Sequence, residues 1–356
     1  MVSFLKRSPA LHHHPSIMEQ ELSRIFKKKM NVSSEGLVLT RLQGDASYRI
    51  YYRARLVDGS SYIVMKLPAG KSSMSEEMTN LKEKPSEIPF INVAHYLDDL
   101  GLPVPKIHFA DASAGLLILQ DFGDETLEKR LNHSSSVEKK AWYQRAIDLL
   151  VQFQTRSGKS HSHCIAHQRS FDRTLLDWEF EHFFEYGIEV RTGIKIPQED
   201  LQNLRKGSSL ITDTLLKLPQ ILVHRDFQSR NIMIQNGDLK LLDFQDALLG
   251  PPSYDLVALL RDSYVSLEWD LVSELMDDYL SKRGAAPSFH KIFDWMTIQR
   301  KLKDAGRFVY IDHVKKNPSF LKYIPTSLAY VREALQRQGY LKGFFGILKK
   351  YVPEFN

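Results

Sequence analysis

The sequence predicts an α+β fold, with a small antiparallel sheet near the N-terminus and a larger, mainly helical part after it. Three observations predict it. Apolar residues fall in β-rich runs up to residue 120, and after that they recur at the three- and four-residue steps of amphipathic helices. Asp58-Gly59, between two of the β-rich runs, is a strong hairpin dipeptide. The chain has 356 residues, 43% of them hydrophobic and 26% charged, which is enough length and an ordinary composition for two lobes.

The elements follow in order. "SIMEQELSRIFKKKM" opens on a capping-box pattern, Ser16 with Glu19, and predicts an amphipathic helix. "GLVLTRL", "SYRIYYRARL" and "SYIVMKL" predict strands. "PFINVAHYLDDLG" predicts a helix stopped by Gly101, with Pro103 and Pro105 behind it. "KIHFAD" and "GLLILQ" predict a second hairpin. Helical spacing then runs through "VEKKAWYQRAIDLLVQFQ", "FDRTLLDWEFEHFFEYG" and "EDLQNLRKGSSLITDTLLKL". The later strand signals are "ILV", "IMIQ" and "KLLDF", with Asn236-Gly237 as the turn between the last two. The predicted division is an N-terminal lobe over 1–119, a hinge at 120–123 and a C-terminal lobe over 124–356.

Composition narrows the functional classes. No apolar run reaches the ~18 residues that a membrane span needs, and the start, "MVSFLKRSPALHHHPS", does not read as a secretory signal. The one cysteine, Cys164, allows no internal disulfide and suits a reducing, cytoplasmic setting. The formal net charge of +5 mildly favours anionic partners, but the basic residues are scattered, so neither nucleic acid nor membrane is expected as a partner. In "HSHCIAH", His161, His163, Cys164 and His167 lie close together without the spacing of a standard zinc site, and a polar loop is expected. Nothing in the sequence sets the oligomeric state.

The densest chemical signal is "VHRDFQSRN" followed by "IMIQNGDLKLLDF". Phosphoryl transfer from a nucleotide needs a carboxylate for the acceptor proton, oxygen ligands for Mg²⁺, a cation for the phosphates and a loop to cover them. Asp226 supplies a loop carboxylate and Asn231 an oxygen donor on the same loop. A strand–turn–strand then returns Asp243 beside them. The pattern H-R-D-x-x-x-x-N followed by strand–turn–strand-D-F meets several of these constraints together.

This stretch resembles the catalytic and metal loops of protein kinases, and more closely the aminoglycoside phosphotransferase and choline-kinase-like superfamily. "GPPSYDLVALLRD" adds to that resemblance. "RLQGDASYRIYYR", "GLPVPKIHFADASAGLLILQDFGDETL" and "QRKLKDAGRF" are similar to one branch, the bacterial amino-sugar anomeric kinases, which phosphorylate N-acetylmuramate and N-acetylglucosamine in cell-wall recycling. The similarity spans roughly residues 40–330. It implies a bilobal protein-kinase-like fold and an enzyme that takes ATP, Mg²⁺ and a small-molecule acceptor. Aminoglycosides or other small alcohols are the alternative acceptors, and a non-catalytic nucleotide-binding protein is the alternative class. No A-P-E signal follows the metal loop, which argues against a protein kinase.

By the same resemblance Asp226 is the catalytic carboxylate, and Asn231 and Asp243 are the metal ligands. His224 and Arg225 support the loop. Asp255 opens a helix, as its cap, and braces the loop. Gln245 stands where protein kinases carry Gly, and Asp246 lies within reach of the metal or the substrate. Lys66 is the candidate phosphate-binding cation, with a surface strand lysine as the alternative, and the following helix offers it no convincing acidic partner. Gly44, Asp45, Ala46 and Ser47 form a candidate phosphate loop. Gln120 and Phe122 flank the expected adenine contact. Asp172 and Glu179 border the acceptor region. Arg300, Lys303 and Arg307 share one helical face, either to meet an acceptor carboxylate or as a solvated face.

Overall fold

The computed structural model describes residues 17–42, 49–67, 87–158, 163–284 and 289–356. Ser16, the proposed phosphate loop Gly44–Ser47 and His161 lie outside them. Contacts divide the chain into two compact units.

The first unit, Met1–Lys71 with Ile107–Asp121, is built on a five-stranded antiparallel sheet. Helix α1 (Ile17–Lys29) precedes β1 (Val38–Leu42), β2 (Ile50–Arg55) and β3 (Ser61–Lys66). The sheet is completed by β4 (Ile107–Asp111) and β5 (Leu116–Gln120), in the order β1-β2-β3-β5-β4. The β2–β3 turn is the one that Asp58-Gly59 predicts. Gly59 has φ +85°, where an L side chain is strained, and the Asp58 carboxylate accepts from the Ser60 amide at 2.9 Å. Leu22 and Phe26 of α1 pack on Ala54, Val64, Leu116 and Ile118, so α1 covers one face of the sheet.

The second unit begins, among described residues, with helix α2 (Pro89–Asp99). The sequence-based division gave this helix to the N-terminal lobe; by its contacts it belongs to the helical unit. Phe90 packs on Phe244 with ring centroids 5.1 Å apart, and Tyr96 bonds His167 at 2.9 Å. Chain connectivity put α2 with the sheet, but its buried apolar face decides the matter.

Next come α3 (Leu127–Asn132), capped by Thr126, and α4 (Ser136–Arg156), opened by a Ser135–Glu138 capping box. Then follow α5 (Arg173–His182), a π-helical stretch Phe183–Val190, and α6 (Gln198–Leu216). Strand β6 (Ile221–Val223) pairs with β9 (Leu248–Gly250). Between them β7 (Ile232–Gln235) and β8 (Asp238–Leu241) form a hairpin. Asn236 and Gly237 turn it with φ of +52° and +85°, as their dipeptide predicts. Helices α7 (Ser253–Leu260), α8 (Trp269–Arg283), α9 (Phe289–Lys315), α10 (Ile324–Arg337) and α11 (Lys342–Tyr351) complete the unit.

Helix α9 is buried along most of its length between α10, α5, α7 and the π-helical stretch. Gly306 allows its close approach there: a Cβ at 306 would lie 2.9 Å from the Phe183 Cα and 3.1 Å from the His182 carbonyl oxygen. Backbone cannot move aside as a side chain can. In an open helix Gly→Ala is stabilising by about 1 kcal/mol. Here Gly306→Ala is expected to destabilise by about 1–3 kcal/mol, read as a lowered urea midpoint at unchanged slope.

Candidate active site

Residues 224–231 link β6 to β7 outside any ladder, so their backbone amides need other partners. Asp255 supplies two. Its fully buried carboxylate accepts from the His224 amide at 2.7 Å and the Arg225 amide at 2.9 Å. Helix α7 starts at Ser253, so Asp255 lies within the first turn and bonds across to the loop; it does not cap its own helix as the sequence suggested. Two residues past the end of α7, Asp262 accepts from the Ser229 amide at 2.9 Å and its hydroxyl at 2.6 Å. Between these grips Arg225 holds φ +77°, a region that non-glycine residues rarely occupy.

Arg300, fully buried on α9, closes the loop from the other side. One guanidinium nitrogen donates to the Arg225 carbonyl at 2.7 Å, and another lies 3.5 Å from Asp226 Oδ1. Its plane sits over the Tyr254 ring at 4.7 Å. Burial opposes the charge, but Tyr254, Asp304, Asp226 and Asp255 together hold its pKa above the ordinary arginine value. This corrects the solvated-face reading of Arg300, whose guanidinium is buried against the loop. Lys303 is 14% exposed and 3.4 Å from Asp304, and Arg307 is half-buried over the Tyr310 ring at 4.9 Å.

The two other residues expected to border the acceptor region have partners within the protein. Asp172 caps α5, its Oδ1 accepting from the Leu175 amide at 2.8 Å. Glu179 is 1% exposed and is held by Gln299 at 2.5 Å and Arg225 at 3.4 Å, so it braces the loop from within. His224 is fully buried between the rings of Phe153 and Phe227, and burial lowers its pKa to about 4, so the imidazole is neutral near pH 7.

Asp226 is 27% exposed. Both its side-chain contacts, Arg300 and Gln228 Nε2 at 3.3 Å, fall on Oδ1; Oδ2 has no hydrogen-bond partner among the described residues. Asn231 donates from Nδ2 to the Asp226 carbonyl at 2.9 Å, which turns its amide oxygen away from that bond. The β7–β8 ladder pairs Ile232 with Leu241, and the Leu242 amide bonds the Asn231 carbonyl at 2.8 Å. Asp243, one residue on, therefore emerges beside Asn231, exposed and with φ +62°. Gln245 Nε2 donates to Asp243 Oδ1 at 2.8 Å and to Asp246 Oδ2 at 2.9 Å. Arg230 anchors the loop to α3, with two bonds to Glu128 at 3.0 and 3.2 Å and one to the Tyr323 hydroxyl at 2.6 Å.

In the sheet unit, Lys66 is exposed and shares a face with Val64 and Leu116, the face that α1 covers. It forms no ion pair with a described residue. A buried charged pair of this unit is one that sequence reasoning missed. Arg53 donates twice to Asp121, at 2.6 and 3.0 Å, with both side chains buried. Gln120 ends β5 opposite Tyr62, and Phe122 is buried. Asp262 and Arg169 were also missed. The signal for Asp262 was a second acid in "YDLVALLRD", seven residues after Asp255; Arg169 had none.

A small antiparallel sheet followed by a helical unit with this loop, hairpin and helix is the architecture of protein-kinase-like phosphotransferases. The chain belongs to the phosphotransferase enzyme family, whose model matches residues 38–292. It is 32% identical over 325 residues to an N-acetylmuramate/N-acetylglucosamine kinase of Neisseria meningitidis serogroup B, covering 89% of this chain and 91% of that protein. A protein of the same name from Pseudomonas putida is 30% identical, with 90% of each covered. Among solved structures, choline kinase LicA from Streptococcus pneumoniae superposes with TM-score 0.58 at 20% identity, covering 93% of this chain and all of that one. The streptomycin–ATP ternary complex of APH(2")-IIa gives 0.57 at 14% identity, covering 87% and 99%. The chain is a small-molecule kinase, as its motifs suggested.

Two buried titrating groups at the loop, His224 and Asp255, oppose each other in pH. His224, near 4 against an ordinary 6.5, favours folding above pH 6.5 and loses that contribution as pH falls toward 4. Asp255 is raised by burial from 3.8 to about 7, so its contribution is full below 3.8 and is lost as pH rises through 7. Asp255→Asn removes the second effect and leaves the first. Its stability should therefore fall more steeply than the parent's between pH 7 and pH 4, measured by urea unfolding at several pH values.

Proposed function

We propose that the protein transfers the γ-phosphoryl group of ATP, with Mg²⁺, to the anomeric hydroxyl of an N-acetyl amino sugar, N-acetylmuramate or N-acetylglucosamine, in cell-wall recycling. The observation that carries this is the convergence of Asp226, Asn231 and Asp243 in a chain about 30% identical, nearly end to end, to kinases named for those sugars. LicA has been solved with AMP and APH(2")-IIa with ATP, which supports ATP as donor.

The residues fit the groups that this reading requires. Asp226 would take the proton of the attacking hydroxyl on Oδ2, while Arg300 and Gln228 hold Oδ1 and fix the carboxylate's direction. Asn231 and Asp243 offer hard oxygens and no sulfur or imidazole. One carboxylate and one amide oxygen suit Mg²⁺, which completes its shell with phosphates and water. When bound, the ion would neutralise charge on the phosphates. The candidate phosphate contacts are the Lys66 ammonium and the backbone amides of Gly44, Asp45, Ala46 and Ser47. Gln120 and Phe122 remain the candidate adenine contacts, and Asp246 a candidate at the metal or substrate edge.

The loop chemistry gives a first prediction. Asp226→Asn should keep nucleotide binding and lose about 10²–10⁴ in turnover, whereas Asp243→Ala should also lose Mg²⁺-dependent nucleotide affinity. Near-parental turnover of Asp226→Asn would remove it from the reaction. The acceptor is tested by ATP turnover over a panel of amino sugars, aminoglycosides and choline. Transfer to the anomeric oxygen abolishes the sugar's reducing reactivity, so a product that still reduces would refute the position.

A second prediction separates the α9 cations. Arg300→Ala strips support from Asp226 and should lower turnover of both sugars. Arg307→Ala should weaken N-acetylmuramate selectively, about 10-fold or more for a lost charge-assisted bond, and leave N-acetylglucosamine little changed. Equal effects of Arg307→Ala on both would dismiss it as the carboxylate contact.

A further inference from the structure

We infer that Gln245 is a positioning residue of the metal-binding loop, its amide spanning the Asp243 and Asp246 carboxylates and setting the direction in which Asp243 meets a divalent cation. This rests on the proposed reading of Asn231 and Asp243 as metal ligands. The amide nitrogen carries two hydrogens, and both are used, at 2.8 Å to Asp243 Oδ1 and 2.9 Å to Asp246 Oδ2. The reversed amide would set its oxygen against two carboxylates, so the orientation is dictated by the charges.

The side chain is 3% exposed, and its own oxygen is buried with no partner among the described residues. The donor end is satisfied and the acceptor end is not, so the contacts that matter are those to the two carboxylates. The backbone beneath is also fixed. Arg169, 2% exposed, donates to the Gln245 carbonyl and, at 2.8 Å, to the Ala247 carbonyl. Asp243 itself sits at φ +62°. A lysine or arginine in this place would orient Asp243 equally well, but would cancel the charge that attracts the cation. A neutral amide orients it and leaves that charge intact. A glycine, the protein-kinase residue here, provides no tether.

The test uses the full chain and Mn²⁺ as probe, titrated with and without ADP and followed by electron paramagnetic resonance of the free ion. Gln245→Met keeps the volume and removes the donor; Gln245→Gly, the second variant, removes the side chain. Each is expected to bind Mn²⁺ about 10–100-fold more weakly in the presence of ADP, with metal-free ADP affinity and urea midpoint near parental values. The midpoint separates lost positioning from lost folding. Parental Mn²⁺ affinity in either folded variant overturns the inference. A parent that shows no ADP-dependent Mn²⁺ binding overturns the metal-ligand reading itself, and the inference with it.

Discussion

Two backbone amides, those of His224 and Arg225, end on one buried carboxylate, and the geometry around Asp226 depends on that pair of bonds. Without them the turn at Arg225 loses two of the bonds that hold its positive φ, a conformation that costs of order 1–3 kcal/mol and persists only where surroundings over-determine it. The surroundings do so here from three directions. Asp255 fixes the amides, Arg300 fixes the carbonyl, and Glu179 meets the side chain. Asp226, the next residue, inherits its direction from this anchoring.

The same anchoring explains the density of buried charge in the helical unit. Carboxylates and guanidiniums out of water are tolerated only when paired and hydrogen-bonded. Asp262 is held by Ser229, Asp304 by Lys301, and Glu179 by Gln299 and Arg225. Burial opposes the Asp304 charge, but Lys301, Lys303 and Arg300 hold its pKa below the ordinary carboxylate range. Helix α9 carries five of these groups, Gln299, Arg300, Lys301, Lys303 and Asp304. Its close packing at Gly306 keeps them in register with the loop.

What was legible in the sequence was what is local. Asp226, Asn231 and Asp243 stand out because one loop and one tight hairpin connect them, and Asn236-Gly237 announces the hairpin. Asp58-Gly59 did the same in the sheet. What was not legible depends on partners far along the chain. Arg300 meets a carbonyl 75 positions away and Glu179 an amide 120 positions away, and nothing in their helical spacing distinguishes a buried cation or acid from one on a wet face. Asp172 and Asp255 were each seen near a helix start, but only the fold decides whether such a carboxylate turns to its own helix or to another segment. β9 was missed because its three residues end on Gly250-Pro251, which reads as a turn. The π-helical stretch was read as continuous helix because its composition is helical.

The backbone at Arg225 also bears on how this loop tolerates change. Left-handed φ is the condition under which glycine is ordinarily the comfortable choice, and a design aimed at relieving strain would put one there. Glycine at 225 would relax the turn and, at the same stroke, leave the Glu179 carboxylate buried without its cation. Conformational ease and electrostatic neutrality thus pull in opposite directions at a single position. Variants that soften this turn should be viable only where the acid beneath it changes too, so the two sites are best altered together.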